Sequence, residues 1–158
     1  PESQHTLENA TLVGGRLVAQ YLADVQSRVT IHELDGRQVA TLPLPGIGSV
    51  AGLSGREDSP ELFFGFTSYL VPASVYRYDV RTGTLETFFS PKVPFDASQY
   101  VTEQKFVTSK DGTKIPMFVT HRKGVPHDGQ QPTMLYAYGG FNVSLTPSFS
   151  PAVAAWLE

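Results

Sequence analysis

A strand pattern that occurs twice limits what this chain can fold into more than any other feature of it. Val29-Thr-Ile-His-Glu-Leu34, the turn Asp35-Gly36 and a run from Gln38 to Leu42 form the first occurrence. Val75-Tyr-Arg-Tyr-Asp-Val80, the turn Thr82-Gly83 and a run from Leu85 to Phe89 form the second. Each follows a longer apolar candidate, Leu17 to Leu22 and Leu62 to Phe66, and opens with a short one, Thr11 to Val13 and Ser49 to Leu53. The offset from Val29 to Val75 is 46 residues, inside the period of about 40 to 50 residues at which propeller blades repeat. The pattern predicts two units of four strands.

Local chemistry agrees with strands. Tyr76, Tyr78 and Val80 share one face while Arg77 and Asp79 share the other, the period of two expected of a half-buried strand. Leu62 to Phe66 is apolar on both faces, as a central strand between neighbouring blades would be. Asp35-Gly36 and Thr82-Gly83 sit where tight hairpins need a residue that tolerates positive φ. No segment of the first hundred residues has a helical period. Two blades do not close a propeller, which needs about four to eight, so the repeat itself predicts further chain elsewhere.

Ser90 to Ser98, with Pro91 and Pro94 and no periodicity, reads as a linker. The pattern then changes. Glu103 to Ser109 and Lys114 to Thr120 flank Asp111-Gly112 and predict a hairpin, with Pro116 at an edge or a bulge because it cannot donate to a ladder. Thr133-Met-Leu-Tyr-Ala137 is a compact apolar run of the kind found in interior strands, and it ends in Tyr138-Gly139-Gly140-Phe141. Pro151 to Glu158 predicts the opening turns of a helix, with Trp156 in its core face.

Composition narrows the function. Lys and Arg number 12 against 15 Asp and Glu, a net charge of -3, and the arginines are dispersed, which argues against a nucleic-acid partner. No apolar stretch approaches the roughly 20 residues that span a bilayer, so no membrane partner is expected. With no cysteine there is no thiolate ligand or nucleophile. The first residues, Pro1 to His5, show neither an initiator Met nor a signal-peptide pattern.

The catalytic inventory is nearly empty. Gly46-Ile-Gly48-Ser-Val-Ala51 meets the loose dinucleotide fingerprint, but no helix pattern follows it, so it reads as a turn into a strand. In Gly52-Leu-Ser54-Gly55 the second glycine of a nucleophile elbow is misplaced, leaving Ser54 a loop residue. His5, His32, His121 and His127 lack metal-ligand spacing, and Asp24, Glu33, Asp79 and Asp96 are scattered. Neither a metal nor a cofactor is expected. One segment stands apart, Leu135 to Asn142: an apolar run delivers Tyr138 to a pair of glycines that permit a sharp turn and close backbone approach. The spacing alone leaves open whether Tyr138 aims its hydroxyl into a cleft or packs in a core.

Four ordered stretches carry a resemblance: Gly48-Ser-Val-Ala-Gly-Leu-Ser-Gly55, Phe66-Thr-Ser-Tyr69, Ser109-Lys-Asp-Gly-Thr-Lys-Ile-Pro-Met-Phe118 and Tyr136-Ala-Tyr-Gly-Gly-Phe-Asn142. Over nearly its whole length the chain resembles the prolyl oligopeptidases, serine endopeptidases with a seven-bladed propeller and an α/β-hydrolase domain. The resemblance implies a mainly β chain in which residues 1–100 are the last two four-stranded blades. Residues 101–158 would then be the first strands and first helix of the catalytic domain. It implies that Tyr138 donates a hydrogen bond to the oxyanion of the tetrahedral intermediate and that Phe141 lines the pocket for the substrate proline. The family's serine, aspartate and histidine would all lie beyond Glu158, so these residues alone would be inactive. The expected partners are short proline-containing peptides and the remainder of the same enzyme. The expected compartment is cytoplasmic, or periplasmic or secreted for an exported bacterial member. A sibling peptidase of other specificity, or a non-catalytic propeller-type binding module, stands as the alternative; Gly139-Gly140-Phe141-Asn142 favours proline specificity.

Overall fold

The computed structural model describes residues 3–158. It contains two four-stranded antiparallel sheets and a separate two-stranded hairpin. The first sheet is a meander of β1 (Thr6–Val13), β2 (Arg16–Ala23), β3 (Gln26–His32) and β4 (Gln38–Thr41). The second repeats it with β5 (Ser49–Gly55), β6 (Glu61–Thr67), β7 (Ser74–Asp79) and β8 (Leu85–Phe89). All eight expected strands are present. The largest difference is at β1, which runs back to Thr6 through Leu7, Glu8 and Asn9, with a bulge between Leu7 and Asn9.

One apolar face of each sheet supplies the core. Val13, Val18, Val29, Ile31 and Leu42 meet Val50, Leu62, Phe64, Phe66, Tyr76, Tyr78 and Val80 in a single cluster. Alternation decides which residues contribute: Val18 pairs Ile31 on the inward face, while Tyr21 pairs Arg28 on the outward one. The Phe64 ring stacks on Tyr76 at 5.6 Å, and Phe66 meets the same tyrosine edge-on at 6.1 Å. Each such side chain removed from water contributes about 1.5–3 kcal/mol. The outward face of β6 is covered less than the sequence pattern suggests. Phe63 meets Phe88 edge-on at 5.3 Å, and Phe88 is 66% exposed.

Close approach requires glycine at two places, one within the second sheet and one at the seam between the sheets. A Cβ on Gly48 would lie 2.3 Å from the Phe66 ring, and one on Gly55 would lie 2.7 Å from Val13. Polar groups at the seam are paired. Gln20 is inward and buried, and its amide donates to the Val50 carbonyl at 3.1 Å and to Glu8 at 3.0 Å. Ser27 accepts from the Val50 N–H at 2.9 Å, and its own N–H donates to the Gly48 carbonyl at 3.0 Å.

The expected turns at Gly36, Gly83 and Gly112 all have positive φ. A further one carries no glycine: Asp24 and Val25, joining β2 to β3, have φ of 48° and 66°. A β-branched residue there is strained. The amide of Gln104 donates to the Asp24 carbonyl at 2.6 Å, and Gln26 donates to Gln104 at 2.9 Å, tying this turn to the hairpin beyond the linker.

That hairpin pairs β9 (Tyr100–Thr108) with β10 (Lys114–Arg122) without a register shift, and Pro116 faces Phe106. A two-stranded sheet has only edges, so Pro116 costs it little. From Lys123 to Ser150 there is neither helix nor strand, and α1 (Pro151–Leu157) follows. Two expectations fail here. Thr133 to Ala137 is not a strand: it pairs with neither edge of the hairpin and is exposed, because a strand apolar on both faces forms only where a sheet receives it. Trp156 is not a core residue. It is 56% exposed, because α1 buries only Ala154 and turns the tryptophan away from that face. No helix among the described residues is long and apolar enough to cross a membrane.

Candidate functional site

Tyr138 and Phe141 lie on one short turn. Residues 131–139 are irregular, and the chain then reverses through Gly140, Phe141, Asn142 and Val143, with the Val143 N–H donating to the Gly140 carbonyl at 3.2 Å. Both central residues are left-handed, Phe141 at φ 55° and Asn142 at φ 54°. Asparagine tolerates this conformation readily, but an aromatic residue adopts it uncommonly. Such an outlier marks a position where side-chain direction outweighs backbone comfort. Phe141 is 94% exposed, and its ring stands away from the chain.

Gly140 has a local purpose. The Tyr138 hydroxyl lies 3.3 Å from where a Cβ on Gly140 would be, so the phenol folds over the following turn. Tyr138 is 47% exposed, and among the described residues its hydroxyl lies against its own turn at Gly140 and has no hydrogen-bond partner. It is therefore a donor not committed elsewhere, standing beside an exposed aromatic ring. The shallow depressions on the outer faces of the two sheets involve neither residue.

The remaining candidates resolve into structural roles. The motif from Gly46 to Ala51 turns into β5; Ser54, expected in a loop, instead continues that strand opposite Phe63, because β6 pairs with it through Gly55. The His32 Nδ1 faces the Gly36 carbonyl at 3.2 Å, and its Nε2 faces the Thr30 hydroxyl at 2.8 Å, holding the β3–β4 turn. Asp79 accepts from the Thr82 and Arg81 N–H groups, which hold its carboxyl below the ordinary value. Asp96 is held low by the hydroxyl of Ser98, with Gln99 and the Ser98 N–H adding to it. Glu33 pairs with Arg16 at 3.5 Å, and the Asp24 carbonyl belongs to the turn described above.

Sequence spacing gave no hint that His121 and His127 would meet, with ring centroids 4.7 Å apart. Glu103 lies near them, its carboxyl held low chiefly by its hydrogen bond to Lys105 and less by the two histidines. Among the described residues no group of three or more such side chains is arranged to hold a metal. Spacing also missed what holds the far end of the Tyr138 segment. Pro147 is buried, its carbonyl accepts from the Ser49 hydroxyl at 2.7 Å, and the Phe149 N–H donates to the Thr67 hydroxyl at 3.1 Å.

Comparison with known proteins places this geometry in context. Residues 1–91 match the family model described as prolyl oligopeptidase, N-terminal beta-propeller domain. The prolyl endopeptidase of Elizabethkingia meningoseptica is 43% identical over 145 residues, 92% of this chain and 21% of that protein. A solved structure from a mechanistic analysis of two prolyl endopeptidases superposes with a TM-score of 0.84 at 43% identity, covering 99% of this chain and 23% of that one. Prolyl oligopeptidase B from Galerina marginata, solved without ligand, gives a TM-score of 0.88 at 28% identity, covering 99% of this chain and 23% of its own. The same Galerina protein has been solved bound to a 25mer macrocyclization substrate. The chain spans about a fifth of the length of the curated relatives it matches.

Proposed function

The chain belongs to the prolyl oligopeptidase family, and from that premise we propose that it serves a serine endopeptidase that cleaves short peptides after proline. In this reading residues 1–100 are the last two blades of a seven-bladed propeller. Residues 101–158 open the α/β-hydrolase domain, whose nucleophile, acid and base come from other parts of the enzyme. The propeller limits access to a cavity between the two parts, so that only short peptides reach the reacting groups.

Tyr138 is the oxyanion donor. Attack on the scissile carbonyl places negative charge on its oxygen, and a phenolic O–H already aimed at that point stabilises the transition state more than the ground state. The observation that carries this role is the phenol folded over Gly140 with its hydroxyl uncommitted among the described residues. Phe141 provides an apolar wall for the proline ring, which presents no N–H to satisfy. Its left-handed backbone supports that assignment, since the turn projects the ring outward from the chain.

The test is kinetic and uses the whole peptidase carrying these residues. Tyr138→Phe lowers kcat by about 10²–10³ with the melting temperature unchanged, because it removes one donor and no packing. Phe141→Ala raises KM for proline peptides more than it lowers kcat. An unaltered kcat in Tyr138→Phe eliminates the oxyanion role, and an unaltered KM in Phe141→Ala eliminates the pocket role.

A further inference from the structure

Two hydroxyls on facing strands receive the chain as it returns from the Tyr138 turn. Ser49 is the first residue of β5 and Thr67 the last of β6, and they are direct partners in the β5–β6 ladder. Ser49 donates to the Pro147 carbonyl at 2.7 Å, and the Phe149 N–H donates to Thr67 Oγ1 at 3.1 Å. A carbonyl and an N–H two residues apart are what one strand edge offers the next. Here a cross-strand pair of side chains takes the place of the neighbouring backbone.

The grip is reinforced on both sides. The Thr67 hydroxyl passes its own proton on to the Val71 carbonyl at 3.1 Å, so accepting from Phe149 and donating to Val71 strengthen each other. The Phe149 ring lies against Phe95 at 6.2 Å, and Phe95 stacks on Tyr100 at 5.0 Å. Tyr100 in turn donates to the Leu157 carbonyl at 3.0 Å. The strap Pro147–Phe149 is thereby fixed to the second sheet, the linker and α1 together.

On the reading of Tyr138 as an oxyanion donor, we propose that Ser49 and Thr67 form a positioning clamp for it. Only Ser144 to Thr146 lie between the turn that ends at Val143 and the clamped Pro147. Holding the strap removes one end's freedom from the segment carrying the phenol, so the donor reaches the reacting centre already oriented. Misplacing a catalytic group by about 1 Å costs on the order of 10²-fold. Loosening one end of its tether should cost less.

The experiment compares Thr67→Val, Ser49→Ala and Thr67→Ser in the whole peptidase, alone and on a Tyr138→Phe background. Thr67→Val and Ser49→Ala are expected to lower kcat about tenfold with little change in KM, and Thr67→Ser, which keeps the hydroxyl, to restore it. On the Tyr138→Phe background Thr67→Val should have no further effect on kcat, because the group it positions is gone. A clamp that merely stabilised the fold would give effects that multiply, and that result overturns the proposal. So does a normal kcat in both Thr67→Val and Ser49→Ala while Tyr138→Phe is impaired, which leaves the oxyanion reading intact. A normal kcat in Tyr138→Phe removes that reading and the clamp's role with it. Ser49→Ala, which creates less new bulk, decides the matter if Thr67→Val does not fold.

Discussion

The paired sheets and the segment around Tyr138 are made of similar residues in opposite surroundings. Leu62, Phe64 and Phe66 retain almost no exposure, whereas Leu135, Tyr136 and Phe141 are 82%, 75% and 94% exposed. Hydrophobicity alone does not separate them. What separates them is a covering surface: each sheet gives the other an apolar face at the right spacing, and no strand or sheet within residues 3–158 does this for 133–143. Burial is a property of a pair of surfaces, and exposed apolar residues on a turn are then available to a ligand or a partner.

That contrast can be broken at its strongest point first. Phe64→Ala is expected to destabilise the sheet pair by about 3–5 kcal/mol, measured by denaturant unfolding, while Phe141→Ala changes stability by no more than about 0.5 kcal/mol. Equal losses would mean that the exposed segment contributes to the core after all. Gly48→Ala sharpens the contrast from inside the second sheet. A methyl 2.3 Å from the Phe66 ring and 2.5 Å from the Thr67 carbonyl must displace β6 beside it and the Phe66 ring from the core, a loss of about 1–3 kcal/mol in the same assay. A wild-type midpoint would show that the β5–β6 packing can yield.

The smallest effect concerns a feature that the second sheet shares with the hairpin. Asp79 in the second sheet and Asp111 in the hairpin are held below 3.8, the first chiefly by the Thr82 N–H and the second by that of Thr113. A depressed carboxyl stabilises the fold above its unfolded value and ceases to do so as pH falls through its lower folded value. Asp79→Ala should therefore melt below wild type at neutral pH, and the two curves should converge as pH drops below 3.8. A gap that persists in acid would assign the loss to packing.

The strands were legible because period-two alternation and Asp-Gly or Thr-Gly turns are local signals, and each expected strand of the repeat is present, β1 alone beginning well before its signal. The Asp24–Val25 turn was not, since a valine at positive φ contradicts the local preference and is held by Gln104, far along the chain. Thr133 to Ala137 and Trp156 misled for one reason: apolarity reports a need for cover, and only tertiary structure tells whether cover is present. Tyr138 and Phe141 stood out through their glycines and their resemblance to a family motif. Ser49, Thr67 and Pro147 could not stand out. Small hydroxyl residues on a strand and a proline in an irregular segment carry no chemistry until the fold brings them together.

The meander order of the sheets bears on how the chain is made. The first sheet is complete by Thr41, the second begins at Ser49, and neither borrows a strand from the other. A chain emerging from the ribosome can therefore zip each sheet from successive hairpins, closing only short loops at each step. The first sheet is finished while the second is still being synthesised, and its Val18, Val29 and Ile31 face is ready as a template. New termini introduced between Pro43 and Gly48 would leave both sheets whole, whereas the same cut inside β6 would split one of them.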